Sequence, residues 1–144
     1  MNRRKALKMA GIGSAAVGAG APMSVMSTPS LSELSRALAG KRFYTTDHPG
    51  RWKGKAAGHA PRVKVEEDGA DQLVKIVTPH PMTVKHHITK HMLLDRDLNL
   101  IGESVFDVSF DLPQSRFVLS GDRGRLYALS VCNLHDTWIA EANI

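Results

Sequence analysis

What this chain can fold into is set chiefly by a change of step at residue 62. From there on, apolar and polar residues alternate with a period of two, in short runs cut by turn residues. RVKVE (62–66) and QLVKIVT (72–78) flank the turn EDGAD and read as a hairpin. HHITKHMLL (86–94) is a longer strand candidate, ended by the turn DRDLN. SVFDVSF (104–110) puts Phe106, Val108 and Phe110 on one side, and RFVLS, RLYALSVC and TWIAEAN follow. About seven short strands with frequent turns predict an all-β fold, an immunoglobulin-like antiparallel β-sandwich.

The first part of the chain reads differently. Residues 1–30 form an export signal: the basic stretch NRRKALK precedes the short apolar run MAGIGSAAVGAGAPM. That run is too short and too rich in Gly and Ala to span a bilayer, so no membrane span is expected in the mature chain. The arginine pair resembles a twin-arginine signal, with Ala6 where that motif usually has Phe. Val17 and Ala19 suit a cut before Gly20. The expected location is therefore periplasmic or otherwise exported. Residues 31–58 are a lead-in. SLSELSRALAG (30–40) reads as a short helix, with Ser30 and Glu33 at capping-box spacing and Gly40 to end it. Residues 41–61 are irregular, punctuated by Gly50, Gly54, Gly58, Pro49 and Pro61. The sandwich domain is placed at 59–144, without internal repeat or second domain.

Charge excludes one class of function. The net charge is +5, but Arg3, Arg4, Lys5 and Lys8 carry +4 of it, leaving +1 for residues 31–144. That remainder has no basic stripe with interleaved aromatics, so nucleic acid is not an expected partner. No nucleophile–base motif of a hydrolase is present either. The single cysteine, Cys132, can form no internal disulfide. A lone thiol in an oxidising compartment is either buried and inert or held by a metal as thiolate.

The histidines favour the metal. Four of the seven lie in PHPMTVKHHITKH (79–91). SVCNLH places Cys132 and His135 three apart, after a strand and on a turn, where both can reach one ion. Extended, residues 80 and 86 would stand roughly 20 Å apart, so sharing an ion requires the chain to fold back between them. Pro81 biases His80 toward an extended conformation and suits a loop leading into a strand near His86. On a strand His86 and His87 face opposite ways, so only one can serve. His48, His87 and His91 read as solvated or hydrogen-bonded side chains.

HAP (59–61), PHPMTVKHHI (79–88) and LYALSVCNLHDTW (126–138) together resemble the superoxide reductases of the desulfoferrodoxin and neelaredoxin family, over roughly residues 50–140. The resemblance implies an immunoglobulin-like sandwich with a mononuclear iron. It implies His59, His80, His86 and His135 as equatorial ligands, Cys132 as the axial one, and Asn133 as the family's Asn beside the cysteine. The implied reaction is one-electron reduction of superoxide to hydrogen peroxide. Five N/S donors overfill a tetrahedral zinc site, whereas octahedral iron keeps one position open. Folded export through a twin-arginine route suits a protein that takes up its metal before transport.

The sequence departs from the family where W-K-G-E-K-H usually precedes the first ligand. WKGKAAGH (52–59) is two residues longer and lacks the Glu. The family's Lys beside the first His draws in superoxide. Ala57 and Gly58 occupy that place here, and Lys55 is the candidate for anion steering, with a slower reaction expected. The lone Cys excludes the family's additional four-cysteine site, so a separate electron-donor protein is expected, with a homo-oligomer possible. Two other readings stand beside this one. One is an exported, non-catalytic metal-binding interaction module. The other is a blue-copper-type electron carrier, which needs only two His and one Cys.

Overall fold

The computed structural model describes residues 43–121 and 124–143. The predicted signal and the helix at 30–40 lie outside the described residues. Eight strands are seen among the described residues: β1 Phe43–Tyr44, β2 Arg62–Asp68, β3 Asp71–Val77, β4 Ile88–Leu94, β5 Leu100–Val105, β6 Gln114–Ser120, β7 Arg125–Cys132 and β8 Thr137–Asn143. A 3-10 turn at Gly50–Trp52 and a one-turn helix, α1 Ala56–His59, precede β2. The strands form a five-stranded sheet ordered β1-β8-β7-β4-β5 and a three-stranded sheet ordered β2-β3-β6. All pairings are antiparallel except β1 with β8. This is the expected all-β sandwich, with the chain crossing between sheets after β1, β3, β5 and β6. No helix among the described residues is long and apolar enough to cross a membrane.

Alternation builds the core. Val74 and Ile76 of β3 face Leu93 of β4, Leu119 of β6 and Leu126 and Ala128 of β7, all buried. Each large apolar side chain so buried contributes about 1.5–3 kcal/mol. The parity that sends Leu126 and Ala128 inward also sends Ser130 and Cys132 inward, since successive side chains alternate faces. Cys132 is the last residue of β7, so it emerges at one end of the sandwich.

A β-bulge tunes β4. Its register against β7 shifts between Ile88 and Lys90: Ile88 pairs with Cys132, and His91 with Ser130. Thr89 takes up the extra residue, and its hydroxyl donates to the Val131 carbonyl at 3.1 Å. Ile88 and His91 are therefore both fully buried although three residues apart.

The strand expected at 104–110 is a correction. β5 ends at Val105, and residues 107–112 turn. The Asp107 carboxylate accepts from the Ser109 amide at 2.8 Å, and Asp111 accepts from the Asp107 amide at 2.6 Å. The Asp107 carbonyl also accepts from the amides of Phe110 and Asp111. These local bonds compete with a sheet ladder and win. Phe106, Val108 and Phe110 thus share no strand face; Phe110 is 87% exposed. The lead-in, expected to be irregular from 41 to 61, carries β1, the 3-10 turn and α1.

Candidate metal centre

Three chain segments bring donors to the end of the sandwich where β7 stops. His59 closes α1, His80 and His86 lie between β3 and β4, and Cys132 and His135 bracket the turn from β7 to β8. The donor atoms of His59, His86, Cys132 and His135 all lie within 4.8 Å of one another. His80 joins them, its Nε2 standing 3.0 Å from that of His86. His86 Nε2 is also 3.3 Å from His59 Nε2 and 2.8 Å from His135 Nδ1. Cys132 Sγ is 3.7 Å from His135 Nδ1. The five residues singled out from the sequence therefore converge.

The chain between His80 and His86 does fold back. Thr83 and His86 exchange backbone hydrogen bonds at 3.1 Å, and the Thr83 hydroxyl donates to the His86 carbonyl at 3.0 Å. β4 starts only at Ile88, so His86 and His87 are separated by this bend rather than by strand parity. His87 turns its Nδ1–H back onto the Thr83 carbonyl at 3.0 Å. His91 lies elsewhere, fully buried, with its ring nitrogens 2.9 Å from Thr78 Oγ1 and 2.9 Å from Ser115 Oγ.

Tautomers decide what the cluster can hold. His59 Nδ1–H donates to the Lys55 carbonyl at 2.8 Å, and His80 Nδ1–H donates to the Pro81 carbonyl at 2.5 Å. A carbonyl only accepts, so each neutral ring must aim its Nε2 lone pair into the cluster. His86 Nε2 faces both of these lone pairs, and a single Nε2–H there satisfies only one of them, whereas a cation between the rings satisfies every nitrogen at once. Ligands at right angles about a metal with bonds near 2.1 Å would stand about 3.0 Å apart, close to the nitrogen separations seen. Burial lowers the pKa of all four ring groups, to about 4 for His80. Mutual imidazole charge adds to burial at His59, His80 and His135, and the nearby Lys55 ammonium adds at His59, His86 and His135. All four are thereby kept in the neutral form that ligates.

The surroundings hold features that single letters do not advertise. The Leu134 amide donates to Cys132 Sγ at 3.4 Å. Asn133 ties two donor segments together: its Oδ1 accepts from the His87 amide and its Nδ2 donates to the Lys85 carbonyl, both at 3.0 Å. Trp138 donates to the His135 carbonyl at 3.0 Å, with its ring centroid 5.9 Å from that of His59. Trp52 stands edge-on to His135 at 4.6 Å. Lys55 is exposed, one helical turn before His59.

Comparison with known proteins agrees with this geometry. The desulfoferrodoxin family model matches residues 50–141. A superoxide reductase of Pyrococcus abyssi is 33% identical over 110 residues, covering 66% of this chain and 92% of the relative. One from Thermococcus kodakarensis is 34% identical with the same coverage. Among solved structures, a variant of the superoxide reductase (neelaredoxin) from Ignicoccus hospitalis superposes with a TM-score of 0.62 at 32% identity, covering 71% of this chain and 92% of that one. With the family's match running from before β2 into β8 and taking in all the clustered donors, this chain belongs to the desulfoferrodoxin family.

Proposed function

We propose that the protein reduces superoxide by one electron to hydrogen peroxide, at a mononuclear iron held by His59, His80, His86, His135 and Cys132. The observation that carries this reading is the convergence of four imidazole nitrogens and one sulfur, with two of the rings locked by carbonyls to aim Nε2 inward. Names among the relatives support the reaction class. Iron bound there supplies the reducing electron and a positive seat for the anion. Thiolate donation from Cys132 and hydrogen bonding from the Leu134 amide tune that centre. A cupredoxin-like copper site would leave two of the nitrogens without a role.

Lys55 is the chain's own means of drawing the anion in. It is exposed, and its charge is felt at three of the four imidazoles. It stands a helical turn from His59 rather than beside it, which makes for weaker steering than an adjacent lysine gives. Re-reduction falls to a separate donor protein, and residues 1–30 direct the chain out of the cytoplasm. Copies associate through the apolar residues exposed on and beyond β5.

The test is metal content and the optical spectrum of the oxidised protein, with stopped-flow reaction of the reduced protein with superoxide. Iron near one per chain is expected, with a thiolate-to-metal charge-transfer band that Cys132→Ser abolishes. Lys55→Ala is expected to slow the second-order reaction several-fold at low salt and to flatten its ionic-strength dependence. A band that survives Cys132→Ser, or no reaction with superoxide, rules the reading out.

A further inference from the structure

We infer that the Asp136 carboxylate is a latch that holds residues 50–55, and with them Lys55, beside the metal centre. This rests on the steering role proposed for Lys55.

Asp136 follows His135 in the turn from β7 to β8 and has φ 59°, a region unfavourable for residues with a Cβ and tolerated best by Asn and Asp. Its carbonyl closes the turn by accepting from the Cys132 amide at 2.9 Å. Its side chain points away from that turn, toward the lead-in. Oδ2 accepts from Trp52 Nε1 at 2.8 Å and from the Arg51 guanidinium. Two adjacent donors, Arg51 and Trp52, thus meet one acid on the loop that carries Cys132 and His135. Burial alone would raise the Asp136 pKa, but bonds from Arg51 and Trp52 outweigh it and hold the carboxyl below its ordinary value.

From the latch a continuous chain of contacts leads to the first imidazole. The Trp52 carbonyl accepts from the Lys55 amide at 2.9 Å, and the Lys55 carbonyl accepts from His59 Nδ1 at 2.8 Å. Gly50 lets the segment lie down: its φ is 47°, and a Cβ there would sit 2.9 Å from Tyr44 Cε1. Lys53, Gly54 and Lys55 are themselves exposed, and Gly54 has φ 85°. Their placement therefore depends on the anchors at either end, Asp136–Trp52 and Lys55–His59. Asp136 acts through this segment and is a positioning residue.

Two variants separate the latch from general stability. Asp136→Gly removes the carboxylate while keeping a residue at ease at positive φ. Trp52→Phe keeps a ring against His135 and removes only the N–H donor. In metal-free protein, both are expected to speed amide exchange at residues 50–60 by about tenfold or more, as loss of a hydrogen bond to a charged group predicts, with the sandwich core unchanged. In iron-loaded protein, Asp136→Gly is expected to flatten the salt dependence of the superoxide reaction as Lys55→Ala does. The double variant is expected to be no slower than the slower single one. Unchanged exchange in both variants, or rate effects that multiply in the double variant, overturns the latch. A salt dependence untouched by Lys55→Ala overturns the steering role instead, and the exchange data then judge the tether separately. If Asp136→Gly does not fold, Trp52→Phe carries the same two readouts.

Discussion

At the scale of single residues, a histidine outside the metal cluster makes the sharpest demand on its surroundings. His91 is fully buried, its ring edge-on to Phe106 at 4.8 Å. The Thr78 hydroxyl donates to Ser130 Oγ at 2.9 Å, so Thr78 accepts from His91 Nε2–H, and the Ser115 hydroxyl donates to Nδ1. The ring is thus fully satisfied while neutral, and burial lowers its pKa from the ordinary 6.5 to about 4. Between those values the unfolded chain binds the extra proton, so stability is whole above pH 6.5 and falls as pH drops toward 4. The shift corresponds to on the order of 3 kcal/mol over the full window. His91→Gln, which can still donate and accept but does not titrate, is expected to lose less stability between about pH 7 and about pH 4.5 than the native chain, measured by urea unfolding of metal-free protein. An equal loss in both would exclude His91 as a source of acid sensitivity. The sequence places His91 among the hydrogen-bonded histidines but names no partner, because Thr78, Ser115 and Ser130 come from three other strands or their flanks. The same limit hides the tautomer locks on His59 and His80, since a backbone carbonyl has no letter.

Elements were legible where alternation and turn chemistry agree. The hairpin of β2 and β3 turns at Gly69, φ 67°, inside the EDGAD stretch that marks it. At 104–110 the two signals conflict: alternation favours a strand, while Asp107 and Asp111 cap a turn. The β4 bulge is likewise invisible to simple parity, which would put Ile88 and His91 on opposite faces. The join between the 85–87 bend and the β7–β8 turn depends on Asn133, which the resemblance marks without giving its job. Asn133→Ala removes two side-chain hydrogen bonds, each worth about 1 kcal/mol net. It is expected to lower the melting temperature by several degrees and to hasten iron loss to a chelator. Iron retention at the native rate would show that the two segments hold register without it.

For the molecule as a whole, the all-β class was readable because both sheets repeat one simple period. The surface proposed for contact between copies was not, because it depends on which apolar residues the fold leaves outside. Val105 is 68% exposed on the edge strand β5, and Phe110 and Leu112 beyond it are 87% and 67% exposed. A strand at the edge of a sheet with large exposed apolar neighbours is prone to pair with another copy. Phe110→Ser combined with Leu112→Ser is expected to shift sedimentation toward the monomer without altering the optical spectrum of the iron form. An unchanged sedimentation coefficient would place any contact elsewhere. The donor set itself acts at this scale too. His59 precedes the three-stranded sheet, His80 and His86 lie on the crossing to the five-stranded one, and Cys132 and His135 lie at the end of β7 and on the turn that joins two strands of the latter. An ion there rivets the two layers at one end and joins stretches far apart in the chain. Such a rivet resists drawing the polypeptide through a narrow pore as a linear thread, so a cell exporting the loaded form needs a conduit wide enough for the finished object.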